Sequence, residues 1–487
     1  MRISSIIPCV RNANGSGHEQ RRQTDGPGKD EVNRMNDFRK TAQEMLEFIR
    51  ISPTCFHAVA NIGRMLEAAG FQQLQEKEEW KLEKGGRYYT ERNDSSVIAF
   101  VIPEKEVGIR GFHMAAAHSD SPCFKIKEKP ELTVEEHYLR LNTEKYGGMI
   151  LSTWLDRPLS IAGRLAVKNG NGIEGRLVNI DRDLCVIPNV AIHMNREMNK
   201  GVEYNPQVDL LPLLADVSFD EYDTHTTYDA QTASENAEEQ PETVEKPTLA
   251  ALAAEAAGVD AETILGEDLF LYTRQEGKMI GAKGEFVLSP RLDDLQSAFA
   301  LTKAFTESTP AEYINLCAVF DNEEVGSLSR QGASSDFLPV VLRELASVKD
   351  ITGSGFNRML SKSFMLSADN AHAMHPNQNQ KADVTNQPVL NRGFCIKESG
   401  NQSYATDCEV VAIVEQICKK EMIAYQKYVN RSDIAGGSTL GAIAGSLMPV
   451  QTVDIGVPIL AMHSARELMG ADDMAALSRF VGSYFSI

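Results

Sequence analysis

The sequence holds no C-x-x-C pair. Its eight cysteines, Cys9, Cys55, Cys123, Cys185, Cys317, Cys395, Cys408 and Cys418, are scattered. That excludes a disulfide framework and a zinc-finger pattern, and it suits a reducing cytoplasm. No apolar run approaches the roughly 18 residues of a membrane helix. The short run from Ile3 to Val10 is broken by Ser4, Ser5 and Pro8, which is too short and too polar for a signal peptide. Basic residues are outnumbered, 49 against 68 acidic, for a net charge of −19. Nucleic acid and anionic membrane both need basic surface, so neither is expected as a partner. An acidic substrate stays possible, because one local Lys or Arg can outweigh the global sign at short range. No internal repeat is present.

What is there is a chain of 487 residues. Single cores stop growing at roughly 250–300 residues, so two domains are expected. Residues 1–34 are rich in Gly, Asn, Gln and Arg without aliphatic periodicity. They read as a disordered extension, with Met35 as the natural start. Helical patterns follow from Asp37, then strand-like runs at Val97–Ile102 and His113–Ala117. After Lys125 the pattern changes to short alternating runs. Asn169-Gly170-Asn171-Gly172 signals a hairpin. Ala215 to Glu245 carries ten acidic residues and no Lys or Arg, the composition of a solvated loop. Leu249–Ala257 reads as an Ala-rich helix. From about Leu269, strand-like runs alternate with helices again. They include Glu285–Ser289, Ile314–Phe320, Phe364–Ala368 and Val457–Ala461. This alternation predicts a mainly parallel sheet covered on both faces.

Candidate metal ligands stand just after these runs. His118 follows Met114–Ala117, Glu323 and Glu324 follow Cys317–Phe320, Asp369 follows Phe364–Ala368, and His463 follows Ile459–Met462. Asp293 opens a helix after the strand ending near Ser289. In open α/β sheets, sites form at the carboxyl ends of strands, so these residues are expected to converge on one sheet edge. Two imidazoles and three carboxylates suit Zn²⁺, Mn²⁺ or Co²⁺ better than Ca²⁺. Two such ions about 3.5–4 Å apart can polarise a carbonyl and activate a water together. Of the Glu323–Glu324 pair, one can bind metal while the other carries a proton from water to a leaving amine. Asp120, in His118-Ser119-Asp120, is placed to accept the ligating imidazole's other N–H. Each residue also has a plainer explanation. His118 alone suits a hydrogen-bonded structural histidine. Glu323-Glu324 suits a solvated surface, Asp293-Asp294 a helix cap and Asp369 a turn. All of these holding at once, after one set of strands, is the less economical account.

Five motifs now carry a resemblance. They are H-S-D-S-P (118–122), S-P-R-L-D-D-L (289–295), D-N-E-E-V-G-S (321–327), S-A-D-N-A-H-A-M-H-P-N (367–377) and M-H-S-A-R-E (462–467). In this order they resemble the M18 metallopeptidases, the aspartyl aminopeptidase family, over nearly all of 35–487. The resemblance implies an α/β fold, a mainly parallel-sheet metallopeptidase domain (35–125 and 269–487) interrupted by a β-rich dimerisation domain (126–268). It implies one metal on His118, Asp293 and Asp369, and a second on Asp293, Glu324 and His463, with Glu323 as general base. His193 matches a histidine that reaches a neighbouring subunit's site, and its plainer reading is an exposed residue after a strand. Lys397 matches a lysine lining the substrate pocket, or is a surface lysine at a strand end. Gly437 and Ser438, in Gly436-Gly437-Ser438-Thr439, would let backbone approach the substrate, or form a plain loop. Also implied are zinc or a similar metal, peptide substrates with a free and acidic (Asp or Glu) N-terminal residue, and a homo-oligomer, a tetrahedral dodecamer. Two departures stand out: Asp294 where the family commonly has Asn, and Ala435 to Thr439 in place of a Cys-Gly-Ser-Thr style of run. The competing readings are neutral specificity, another two-metal amidohydrolase such as a deacylase or carboxypeptidase relative, and a catalytically silent assembly protein. The last would be marked by loss of a ligand or of Glu323, and none is lost.

Overall fold

Three sheets organise the described residues of the chain. The computed structural model describes residues 29–104, 110–217, 248–310, 312–347, 350–434 and 436–487. Residues 1–28 of the expected extension lie outside this set, as does most of the expected acidic loop. Residues 29–34, expected to lack structure, are the first turns of a helix, Lys29–Arg50.

The largest sheet has nine strands, and its central four run parallel. In spatial order these are Ile314–Phe320, Phe112–His118, Phe364–Ala368 and Gln451–Gly456. The first three are buried along their whole length, which is why they read as continuous apolar runs and not as alternating ones. Side chains alternate between faces. Ala115, Ala117, Cys317 and Val319 join a core with the helices Leu292–Thr306 and Asp473–Phe485. Met114, Ala116, Leu316 and Ala318 join another with Phe337–Ser347 and Leu440–Leu447.

The second sheet has six strands, all antiparallel, drawn from Cys123 to Thr273. It has its own core of Phe124, Trp154, Ile161, Leu165, Leu269 and Leu271, closed by Leu249 and Ala253 of the helix Leu249–Ala257. Its hairpin pairs Asn169 with Gly172. Gly170 takes φ 57° in the two-residue turn between them, the left-handed conformation such a turn needs.

The third sheet was not anticipated. It has five short strands: Lys278–Ile280, Phe286–Ser289, Glu467–Gly470, Pro458–Leu460 and Ala371–His372. The run Val457–Ala461 contributes here, not to the parallel sheet. The place expected for it is taken by Gln451–Gly456, which Gln451, Thr452 and Asp454 disguise as polar.

Candidate metal and active centre

Parallel pairing explains why three distant segments meet. Phe320 lies opposite His118, and Ser367 opposite Ala116. The carboxyl ends of neighbouring strands therefore deliver His118, Glu323 with Glu324, and Asp369 to one place. Asp293 and His463 arrive from the third sheet. Asp293 follows Phe286–Ser289 through Arg291, whose φ is 55°. Its own torsions are non-helical, and the peptide joining it to Asp294 is cis. His463, at φ 65°, lies in the turn after Pro458–Leu460. The expectation of a single sheet edge is thus corrected: two sheets converge.

Asp293 stands between the two imidazoles. Its Oδ1 is 3.6 Å from His118 Nε2, and its Oδ2 is 3.4 Å from His463 Nε2. Asp369 Oδ1 lies 3.9 Å from His118 Nε2, and Glu324 Oε2 lies 3.3 Å from His463 Nε2. These separations are long for hydrogen bonds. They are close to the roughly 3.3 Å between two donors that each sit 2.0–2.1 Å from a tetrahedral Zn²⁺. Glu324 Oε1 is buried without a hydrogen-bond partner. The donor set and its spacing fit divalent metal. Exposure rises from 1% at His118 to 29% at His463, so the centre opens on the His463 side.

The electrostatics describe a cavity that demands positive charge. Burial works against protonated His118, but Asp120, Asp293 and Asp369 outweigh it and hold the imidazole well above its usual range. His463 is likewise raised, to about 10, by Asp293 and Glu324 against burial. Burial raises Glu324 well up and Glu323 to about 8, with His118 opposing both shifts. Glu323's carboxylate makes no hydrogen bond or ion pair among the described residues. Asp294, fully buried, is pushed well up by burial. Its Oδ2 accepts His118 N–H at 3.3 Å, a role an asparagine oxygen fills equally well. The extra charge expected there is therefore opposed by its surroundings.

Asp120 does more than orient His118. The His118 Nδ1 contact is shorter to the backbone carbonyl of Asp120 (3.1 Å) than to its carboxylate (3.4 Å). The carboxylate accepts the backbone N–H groups of Glu323 (3.1 Å) and Glu324 (3.2 Å), and the Tyr146 hydroxyl (2.7 Å). Other supports were not singled out from sequence. Glu467 accepts the N–H of His463 (2.7 Å) and of Asp293 (3.0 Å), joining the two loops of the third sheet. Its place in M-H-S-A-R-E was the available signal. Gly148 O lies 2.8 Å from His463 Nδ1, and no sequence pattern announces it.

Lys397 is buried, so the plainer reading as a surface lysine is corrected. It is 2% exposed, and its ammonium donates to Asp369 Oδ2 (3.2 Å), Asp369 O (3.2 Å) and Asn370 O (3.0 Å). Burial opposes its charge, but Asp369, Tyr404 and Asp454 outweigh it and raise its pKa. Three donors meet three acceptors, two of them on Asp369. His193 is exposed in a turn of the second sheet's long connection, remote in sequence from the ligands. Gly437 and Ser438 are exposed, and open space surrounds the Cβ position of Gly437. Their run is tied down by Thr439, whose hydroxyl donates to Asp454 at 2.6 Å.

Comparison with known proteins identifies the family of the chain. The sequence profile described as Aminopeptidase I zinc metalloprotease (M18) matches residues 48–485. The probable M18 family aminopeptidase 2 of Clostridium novyi (strain NT) is 45% identical over 436 residues, 89% of this chain and 96% of that protein. The protein of the same name from Stutzerimonas stutzeri (strain A1501) is 40% identical, over 91% of this chain and 97% of its own. Among solved structures, a chain of the Ape4 and Nbr1 complex superposes with a TM-score of 0.84 at 34% identity, covering 92% of this chain and 86% of that one. A chain of the S. cerevisiae mApe1 dodecamer gives 0.77 at 27% identity, covering 92% and 97%. The chain belongs to the M18 family of metal-dependent aminopeptidases.

Proposed function

We propose that this chain removes the N-terminal residue of peptides with two divalent ions, Zn²⁺ foremost and Mn²⁺ or Co²⁺ as alternatives, and with Glu323 as general base. One observation carries the reading: Asp293 faces both imidazoles, one with each oxygen, beside an unengaged Glu323. His118, Asp369 and Asp293 would hold one ion, and Asp293, Glu324 and His463 the other. Bound metal supplies Lewis acidity toward the scissile carbonyl and toward a water. Glu323 takes the proton of the attacking water and hands it to the leaving amine. Asp120 fixes the turn that carries Glu323 by accepting its N–H. The Asp120 and Gly148 carbonyls face the two Nδ1 atoms and leave both Nε2 atoms inward. The carboxylate-rich surroundings favour a free α-ammonium group on the substrate. The cysteines described are all free thiols, as a reducing cytoplasm requires, and no described helix is long and apolar enough to cross a membrane.

Two readings of side-chain preference compete. The resemblance points to Asp or Glu. The engagement of Lys397 by Asp369 favours a neutral residue, because a carboxylate among carboxylates needs a cation of its own. A panel of N-terminal Asp, Glu, Leu and Met substrates, assayed with Zn²⁺, Mn²⁺ and Co²⁺, decides between them. On the acidic reading kcat/KM is at least about tenfold higher for Asp than for Leu, as paired-charge discrimination allows. A wild-type preference for Leu or Met discards it.

The second sheet is proposed as the dimerisation unit of a homo-oligomer, a tetrahedral assembly of twelve chains, the number named for the mApe1 dodecamer. Around His193, Val190, Ile192 and Met194 are exposed, an apolar cluster suited to burial against a second copy. His193 would then complete a neighbour's site. Mixing His193→Ala with Glu323→Gln subunits under exchange should restore part of the activity. No recovery, or an active monomer in light scattering, rejects the arrangement.

A further inference from the structure

Tyr146 ends the strand Tyr138–Tyr146 and so belongs to the six-stranded sheet. Its hydroxyl nevertheless reaches the centre's supports. It donates to Asp120 Oδ2 at 2.7 Å and accepts from Asn322 Nδ2 at 2.9 Å. Asp120 holds the backbone of Glu323 and Glu324. Asn322 immediately precedes them, stands at φ 61°, and accepts from Gln331 Nε2 at 2.9 Å. A non-glycine residue in that region needs its surroundings to hold it there. The phenol therefore closes the hydrogen-bond circuit around the turn that carries the base and a metal ligand. The chain then continues to the other side of the centre, where Gly148 O faces His463 Nδ1 and Ile150 N–H donates to His463 O at 2.9 Å. Phe270, on the same sheet, packs edge-on against the Tyr146 ring, with centroids 5.9 Å apart. The ring is thus seated independently of its hydroxyl.

We infer that Tyr146 is a positioning residue: through its hydroxyl the inserted sheet sets the Glu323–Glu324 turn, and so turnover depends on a unit that carries no metal ligand. The inference rests on Glu323 being the base. Without the hydroxyl, Asp120 Oδ2 keeps one donor, the Glu324 N–H, and the Asn322 amide loses its acceptor. Both groups then gain freedom to rotate, and the turn they pin follows. Hydrogen-bond partners outside the ligand set change metal affinity or activity by about 10–100-fold when removed.

The test uses the assembled, metal-loaded enzyme. Tyr146→Phe should lower kcat by about 10–100-fold, with KM within about twofold, metal content retained and melting temperature close to wild type. Tyr272→Phe is the control. It deletes another hydroxyl of the same sheet, one that donates to Asn179 Oδ1 at 2.7 Å, and should leave kcat unchanged. Asn322→Gly removes the other partner of the phenol at a φ that glycine adopts without strain. Combined with Tyr146→Phe it should add little to the single loss, because the two act on one circuit. Unchanged kcat in Tyr146→Phe overturns the inference. So does a loss that tracks melting temperature equally in both tyrosine variants, or a loss confined to KM. The base reading fails separately, if Glu323→Gln stays active.

Discussion

Glutamine at position 323 should lower kcat by about 10²–10⁴, the usual worth of a general acid–base group, while metal content stays near wild type. The reasoning starts from what Glu323 lacks. Its neighbour Glu324 points at His463, whereas Glu323 spends no side-chain oxygen on any described residue. Burial raises its carboxyl to about 8, and bound cations act in the opposite direction, since positive charge nearby favours the carboxylate. A group between those pulls can gain and lose a proton near neutral pH. Glutamine keeps the shape and the backbone bond to Asp120 but cannot accept the proton. Single-turnover kinetics with metal analysis on the same preparation make the measurement. If the variant loses metal in proportion to activity, Glu323 is a ligand and the roles of the two glutamates must be exchanged.

What the sequence made legible follows from where each residue sits. His118, Glu324 and Asp369 end or follow strands buried on both faces, and such strands announce themselves as unbroken apolar runs. Their convergence needs only the rule that parallel strands gather their carboxyl ends. The sequence offers Asp293 and His463 as candidates but not their place in the fold. Their sheet is made of strands of two to four residues, too short for any periodicity to show. Gln451–Gly456 was missed because Asp454 lies in it, buried and bonded to Thr439 and to Ala405 N–H. A polar residue satisfied by tertiary partners looks the same in sequence as one facing water. Lys397 shows the same limit from the other side. Cys395-Ile396-Lys397-Glu398 reads equally well as a strand running out to the surface, and only the fold reveals Asp369 at its ammonium. Tyr146 carried no signal, since its partners at 120 and 322 meet it only once two sheets have docked.

Chelation should abolish activity, return of a divalent metal should restore it, and the metal count per chain should fall in steps across two variants. Wild type should hold about two ions, His463→Ala about one and Asp293→Ala close to none, as expected for a two-metal site with a shared carboxylate. The steps come from the donor geometry. His463 Nε2 faces Asp293 and Glu324, so its loss leaves His118, Asp369 and Asp293 together. Asp293 faces both imidazoles, so its loss weakens both sets. Each variant should also be nearly inactive, because the carbonyl and the water need both charges. The apo state has a further consequence. His118, Asp293, Asp294, Glu324 and Asp369 crowd into a largely buried space, and carboxylates buried without a cation are costly. Metal binds the folded chain and offsets that cost, so stripping it should lower the melting temperature, and re-addition should raise it with the logarithm of free metal. Elemental analysis of dialysed protein, run beside a melting curve and an activity assay, reads all three quantities. Full turnover in a metal-free preparation would end the metal reading. One ion per chain in wild type, unchanged in His463→Ala, would leave a single-metal centre and strip Glu324 of its role as a ligand.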